Sequence, residues 1–187
     1  KTARNYLGGF GVNNRLAYDF QHAGTDPLSP ENLIILGAGP FAGTIIPGAA
    51  KLLATTRFPI NGAFGTAAGG GSFAMMLKTA GYDHVVIKGK APRPVYLLIT
   101  DSEIEMKDAA DLWGQDSSET IDVLRRRHEP CSVVPIGQAG ENLVRISITS
   151  VDKAGTLGRG GLPAVMGSKN LKAIVVQMGS VETRVAD

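Results

Sequence analysis

The sequence predicts an α+β domain, and three observations carry that expectation. Short apolar runs bounded by turn residues outnumber helical patterns, so strands dominate. The segments with helix start and stop signals are few and short. Finally, a glycine-rich loop leading into one short pattern occurs twice: residues 66–89 laid over 156–179 without a gap coincide at 8 of 24 positions, where average composition gives about two. Thr66 falls on Thr156, Gly70 and Gly71 on Gly160 and Gly161, Ala74 on Ala164, and Val85-Val86 on Val175-Val176. The repeat points to an internal duplication.

Taken in order, Gly8, Gly9 and Gly11 precede a helix expected near Asn13–Phe20, and residues 25–30 (TDPLSP) read as a turn. Asn32–Leu36 has the composition of a buried strand, followed by a Gly/Pro loop, a strand over Lys51–Arg57 and a second loop over Pro59–Gly71. Helix formers fill Phe73–Ala80 and stop at Gly81. His84–Ile87 reads as a strand, and Val95–Thr100 with Glu103–Lys107 as a hairpin. A helix follows Asp116, because Asp116 can cap it with Glu119 three residues on, Ile121 and Leu124 on its inner face, and Arg125–His128 at the end that favours positive charge. Ser132–Ile136, Leu143–Thr149 and Ala173–Met178 complete the strands, with Pro163 placed to open a short helix. No low-complexity linker divides residues 1–187, so a single domain is expected, and a start at Lys1 without methionine suggests a piece of something longer.

Composition narrows the function. A chain of 187 residues can bury roughly 70% of its unfolded surface. Its net charge of +2 comes from 19 basic and 17 acidic residues scattered without runs, so neither a nucleic-acid tract nor a membrane-binding face is expected. Apolar stretches are too short to span a bilayer and no signal peptide opens the chain. One cysteine, Cys131, excludes a disulfide framework or a multi-thiolate cluster from this chain alone, and suits a reducing, cytoplasmic setting.

The glycine loops carry the chemistry. Ala67–Gly71 and Gly158–Gly161 offer backbone N–H groups free of bulky side chains, followed by helix starts, which is what an anionic, phosphate-bearing ligand needs. Arg159 and Lys169 near one loop, and Lys51, Arg57 and Lys78 near the other, supply positive charge. The plainer reading of a single such loop is a tight turn; two echoing loops favour ligand binding. Residues 37–43 (GAGPFAG) after a strand mimic a dinucleotide fingerprint, but no acidic residue lies between Gly43 and Asp83 and Pro47 interrupts the helix that motif requires. Gly167-Ser168-Lys169 has the wrong order and spacing for a phosphate loop, and a G-x-S-x-G elbow is absent. His22, His84 and His128 are far apart in sequence, none at i, i+3 or i+4 from another candidate ligand, and read as surface or packing histidines, while Glu103, Glu105, Asp108 and Asp111 read as a solvated face rather than catalytic acids. Trp113 reads as a core anchor.

Six runs in order along the chain carry a family resemblance: residues 26–32 (DPLSPEN), 39–44 (GPFAGT), 77–83 (LKTAGYD), 89–91 (GKA), 137–142 (GQAGEN), and 158–161 (GRGG) through 166–173 (MGSKNLKA). Together they resemble the amino-terminal domain of tungsten-containing aldehyde ferredoxin oxidoreductases. The resemblance implies two β-sheets related by a pseudo-twofold, forming a base for a tungsten (or molybdenum) bis-pyranopterin, with Mg2+ bridging the two pterin phosphates. It places one Mg2+-bridging carbonyl at Ala68 and the other at or near Thr156. The cofactor-binding set it implies is Lys51, Ala68, Gly69, Gly70, Gly71, Thr156, Gly158, Arg159, Gly160 and Gly161. Lys51 and Gly155 stand where the family usually has arginine, Ala68 where it has asparagine, and Met76 where it has glutamate. A carbonyl ligand tolerates a changed side chain, while Lys51 keeps charge without a bidentate fork. The implied full enzyme oxidises aldehydes to carboxylates with ferredoxin as acceptor. Its 4Fe-4S cluster and catalytic residues come from carboxy-terminal domains outside this chain, and a homodimer is among the expectations. This domain alone is then expected to be inactive, and the competing reading is a scaffold paralogue that kept the fold and lost the metal cofactor.

Overall fold

The structure is a computed structural model that describes residues 2–158 and 160–182. The described residues form six helices, two four-stranded sheets and a two-stranded ribbon, the mixed content the sequence predicts. The first sheet holds β1 (Ile34–Ala38), β2 (Leu52–Arg57), β3 (Phe64–Gly69) and β4 (His84–Ile87) in the order β3-β2-β1-β4, all antiparallel. In the second, β5 (Val95–Ile99), β6 (Ile104–Asp108), β7 (Cys131–Pro135) and β10 (Leu171–Gln177) run in the order β6-β5-β10-β7, with only β5 and β10 parallel. The ribbon pairs β8 (Ser150–Val151) with β9 (Gly155–Thr156).

Alternation along each strand builds the layers. Ile34 and Leu36 face a central core with Leu52, Ala54, Val134, Ile174 and Val176, shared with α3 (Phe73–Thr79) and α6 (Leu162–Ser168). Leu33 and Ile35 face the other way, onto Ala17 of α2 (Gly9–Phe20). On the far side of the second sheet, Leu98, Val133, Ala173 and Val175 pack on Ile121 and Leu124 of α4 (Ser117–His128). Two short helices, α1 (Thr2–Tyr6) and α5 (Gln138–Glu141), complete the set. The capping box of α4 forms as its sequence requires: the Asp116 carboxylate accepts from Glu119 N at 2.8 Å and the Glu119 side chain accepts from Asp116 N at 3.2 Å.

The duplication is structural. A strand (β1), an antiparallel ribbon (β2-β3), a glycine turn, a seven-residue helix (α3) and a returning antiparallel strand (β4) recur as β7, β8-β9, the segment to Gly161, α6 and β10. The β8-β9 ribbon lies beside β7, with Asp152 N donating to the Val133 carbonyl at 2.8 Å. The β5-β6 hairpin and α4 are inserted between the halves.

Several expectations need correction. Residues 59–71 are not one loop: they include β3, so Ala68 and Gly69 end a strand and the turn proper starts at Gly70. Leu143–Thr149 forms no strand; its alternating apolar residues face outward, Ile146 being 64% exposed, whereas Ser147 and Thr149 are buried. The second helix starts at Gly9, not Asn13. The nucleotide-type reading of residues 37–43 fails because β1 pairs antiparallel on both sides and no helix follows it.

Candidate functional site

The edge of β3, residues 156–158 and Gly160 line a cavity of about 500 Å3. The first half supplies Phe58, the 60–64 turn and residues 65–68; the second supplies Thr156, Leu157, Gly158 and Gly160. Ala68 and Thr156, drawn from equivalent edges of the two halves, therefore share one wall space. Its volume suits a single small-molecule ligand or one half of a larger cofactor.

Close backbone approach between the halves shapes this cavity. At Gly155 a Cβ would stand 2.2 Å from the Gly70 carbonyl oxygen. No side chain fits at 155 in this backbone, which is the physical reason for glycine where the resemblance has arginine. At Gly160 a Cβ would lie 2.4 Å from the Phe58 ring, so the glycine lets that ring seat against the second loop. Gly158 is different: it has φ of +68° with nothing within 4 Å of its Cβ position.

A buried carboxylate ties the halves behind the cavity. Asp152 is 4% exposed. Its Oδ2 accepts from Ser72 Oγ at 2.9 Å and Ser132 Oγ at 2.7 Å, and its Oδ1 accepts from Val133 N at 2.9 Å and pairs with Arg125 at 3.2 Å. Ser72 belongs to the first glycine turn, Ser132 to β7 of the second half.

Of the residues the sequence singled out, Ala68, Thr156, Gly158 and Gly160 line the cavity. Gly69 and Gly71 instead pack against Val151, Gly161 is a buried left-handed turn beneath Arg145, Gly70 meets Gly155, and Lys51 is exposed at the start of β2 outside the lining. Arg159 lies outside the described residues. The helix starts expected to face the ligand do not line the cavity; strand edges and turn backbone do. Two lysines offered as phosphate partners are committed elsewhere. Lys169 is buried, donating to the Pro30 and Gly89 carbonyls at 2.9 and 3.1 Å, and burial pulls its pKa down to about 8. Lys78 pairs with Asp83.

Several other titratable groups sit in ion pairs or packing contacts. Glu105 pairs with Lys107, Asp108 with Arg93 and Asp111 with Arg127, as a solvated face would. Burial pushes the Cys131 thiol up to about 11, leaving it inert. His128 meets the Tyr96 hydroxyl at 3.0 Å, and burial lowers its pKa. Trp113 packs on the central core. Among the described residues, no group of three His, Cys, Asp or Glu side chains could hold a metal ion, and no helix is long and apolar enough to cross a membrane. Sequence reading missed Phe58, Thr66 and Asp152; the 80-residue separation of Ser72 from Asp152 left no local signal for the last.

Fold and cavity define a duplicated α+β platform with a cavity walled by both halves. The family model described as aldehyde ferredoxin oxidoreductase, N-terminal domain, matches residues 1–178, and the chain belongs to that family of oxidoreductases. It is similar to the tungsten-containing aldehyde ferredoxin oxidoreductase of Pyrococcus furiosus, 43% identical over 189 residues, covering 100% of this chain and 31% of that protein. That of Thermococcus kodakarensis is 38% identical over the same length, again covering 100% and 31%. The aliphatic sulfonate oxidoreductase WOR-like subunit of Pyrococcus furiosus is 36% identical over 166 residues, covering 81% of this chain and 26% of that protein. Among solved structures, the active-site complex BamBC of benzoyl coenzyme A reductase with 1,5-dienoyl-CoA superposes with a TM-score of 0.91 at 36% identity, covering 96% of this chain and 28% of that one. The chain thus spans about a third of the length of the curated relatives it matches.

Proposed function

We propose that residues 1–187 are the amino-terminal cofactor-binding domain of a longer oxidoreductase, and that the cavity takes the phosphate-bearing part of a tungsten (or molybdenum) bis-pyranopterin. The observation that carries this is the meeting of Ala68 and Thr156 on one cavity. The donor set fits such a group. No acidic or basic side chain lines the space among the described residues, so a phosphate meets backbone N–H groups without a competing carboxylate. Carbonyl oxygens are the ligands a hard cation takes.

In this reading the Ala68 and Thr156 carbonyls would hold Mg2+, and the backbone of Gly158 and Gly160, with Arg159 between them in sequence, would hold phosphate. Lys51, Gly69, Gly70, Gly71 and Gly161 serve the cradle at one remove, by charge or by close packing. The metal-dithiolene supplies the redox chemistry; this chain orients it and keeps its phosphates fixed. Aldehyde oxidation with ferredoxin as acceptor, a 4Fe-4S cluster, electron transfer, cytoplasmic residence and a homodimer are proposals for the whole protein. A stripe of outward-facing Leu143, Val144, Ile146 and Ile148 supports packing against further domains of the same polypeptide. Elemental and pterin analysis of the full-length protein from tungstate-fed cells tests the reading. Tungsten or molybdenum with pterin is expected; a preparation holding neither overturns it and favours the scaffold paralogue.

A further inference from the structure

A chain of buried and part-buried hydrogen bonds runs from the cavity wall to α2. Asn13 is fully buried, with Nδ2 3.2 Å from the Ile35 carbonyl and 2.9 Å from Thr55 Oγ1, and Oδ1 2.7 Å from His84 Nδ1. The Thr55 and Thr66 hydroxyls lie 2.8 Å apart. Gly37 makes the arrangement fit, since a Cβ there would stand 2.3 Å from Asn13 Oδ1 and 2.6 Å from His84 Nδ1.

The direction of every hydrogen follows. A backbone carbonyl only accepts, so the Asn13 atom facing Ile35 is its amide nitrogen and the other is its oxygen. That oxygen also only accepts, so His84 carries its hydrogen on Nδ1. Asn13 gives one amide hydrogen to Ile35 and the second to Thr55. Thr55 is itself fully buried, and Thr66 Oγ1 is the acceptor left for its hydroxyl among the described residues. A buried hydroxyl hydrogen without an acceptor is costly, so Thr55 donates to Thr66. Among the described residues the hydrogen of Thr66 has no acceptor, and Thr66 lines the cavity.

We propose that Thr66 is a ligand-binding residue, its hydroxyl held as a donor toward an anionic phosphate oxygen in the cavity, with Thr55, Asn13 and His84 as positioning residues. This deepens the cofactor reading above and rests on it for the identity of the ligand. Among the described residues the wall carries no ionised side chain, so fixed donors such as this hydroxyl add directional selection of an acceptor to whatever charge Arg159 brings.

The test uses the full-length protein and follows the rate of pterin loss. Thr66→Val should release pterin roughly tenfold faster or more, the loss of one hydrogen bond to a charged group, and Thr66→Ser should stay within about twofold of wild type. His84→Phe should also release faster, whereas His84→Asn, which keeps a donor near the Nδ1 position, should not. Wild-type retention in Thr66→Val, or equal loss in Thr66→Val and Thr66→Ser, overturns the proposal. Nitrogen NMR of 15N-histidine-labelled protein gives an independent check: hydrogen on Nε2 rather than Nδ1 also overturns it. Should the wild-type protein carry no pterin, the cofactor reading falls, and calorimetry with inorganic phosphate on the same variants decides this one. Tenfold weaker binding by Thr66→Val then supports it, and equal binding overturns it.

Discussion

Removing the carboxylate of Asp152 should loosen both walls of the cavity together. Its two oxygens accept from Ser72, Ser132, Val133 and Arg125, and it is 4% exposed, so little water can replace it. Asp152→Ala orphans the buried Ser132 hydroxyl, the half-buried Ser72 hydroxyl and one backbone N–H, and releases a guanidinium that is itself 39% exposed, a loss of about 3 kcal/mol. Asp152→Asn is milder. Its oxygen can keep Val133 and Arg125 while its amide donates to the serine oxygens, so it forfeits the charge and two hydroxyl acceptors, about 1–2 kcal/mol. Native-state hydrogen exchange over 131–136 and 149–157 reads these costs locally, where each factor of ten in exchange is about 1.4 kcal/mol. On the order of 100-fold faster exchange is expected for alanine and roughly tenfold for asparagine. Unchanged exchange in Asp152→Ala, or a larger effect for asparagine than alanine, would refute the reasoning.

Three further outcomes follow from buried geometry. Lys172 is 0% exposed and pairs with Glu141, also donating to the Gln115 carbonyl at 2.8 Å. Lys172→Met alone should cost about 3–5 kcal/mol in chemical denaturation, and adding Glu141→Gln should recover a large part of it; additive costs would contradict the pairing. Gly155→Ala, whose Cβ would meet the Gly70 backbone, should cost about 3 kcal/mol by forcing the halves apart, more than Gly158→Ala, open but at positive φ, at roughly 1 kcal/mol; a thermal shift for Gly155→Ala no larger than that for Gly158→Ala would argue against contact at Gly70. Lys169 has its pKa lowered from 10.5 to about 8 by burial, so between those values the unfolded chain binds more protons and folding is favoured as pH rises. The stability of wild type relative to Lys169→Met should therefore climb between pH 8 and 10.5, by on the order of 1–2 kcal/mol after allowance for screening, and a flat or falling difference would contradict the burial.

What the sequence shows clearly is what local chemistry decides. The capping box of α4 needs only Asp116 and Glu119, and the β5-β6 hairpin only its alternation and turn. Residues 64–69 (FGTAAG) give a poor strand signal because two glycines and two alanines lack the branched side chains that favour strands; pairing with β2 forms it instead. Residues 143–149 show the reverse failure, an alternating pattern whose apolar members face outward. The duplicated glycines were legible and mark where the halves meet, yet several are there for packing: Gly155 and Gly70 touch each other. The hydrogen-bonded line from His84 to Thr66 joins α2 to three strands and has no pattern in sequence.

The most direct measurement is an experimental structure of the full-length protein purified with its cofactor. Expected are phosphate oxygens within hydrogen-bonding distance of the 156–160 backbone and the Thr66 hydroxyl, with a divalent cation on the Ala68 and Thr156 carbonyls. A cofactor seated elsewhere, with this cavity filled only by protein side chains, would contradict a cradle formed by the two halves.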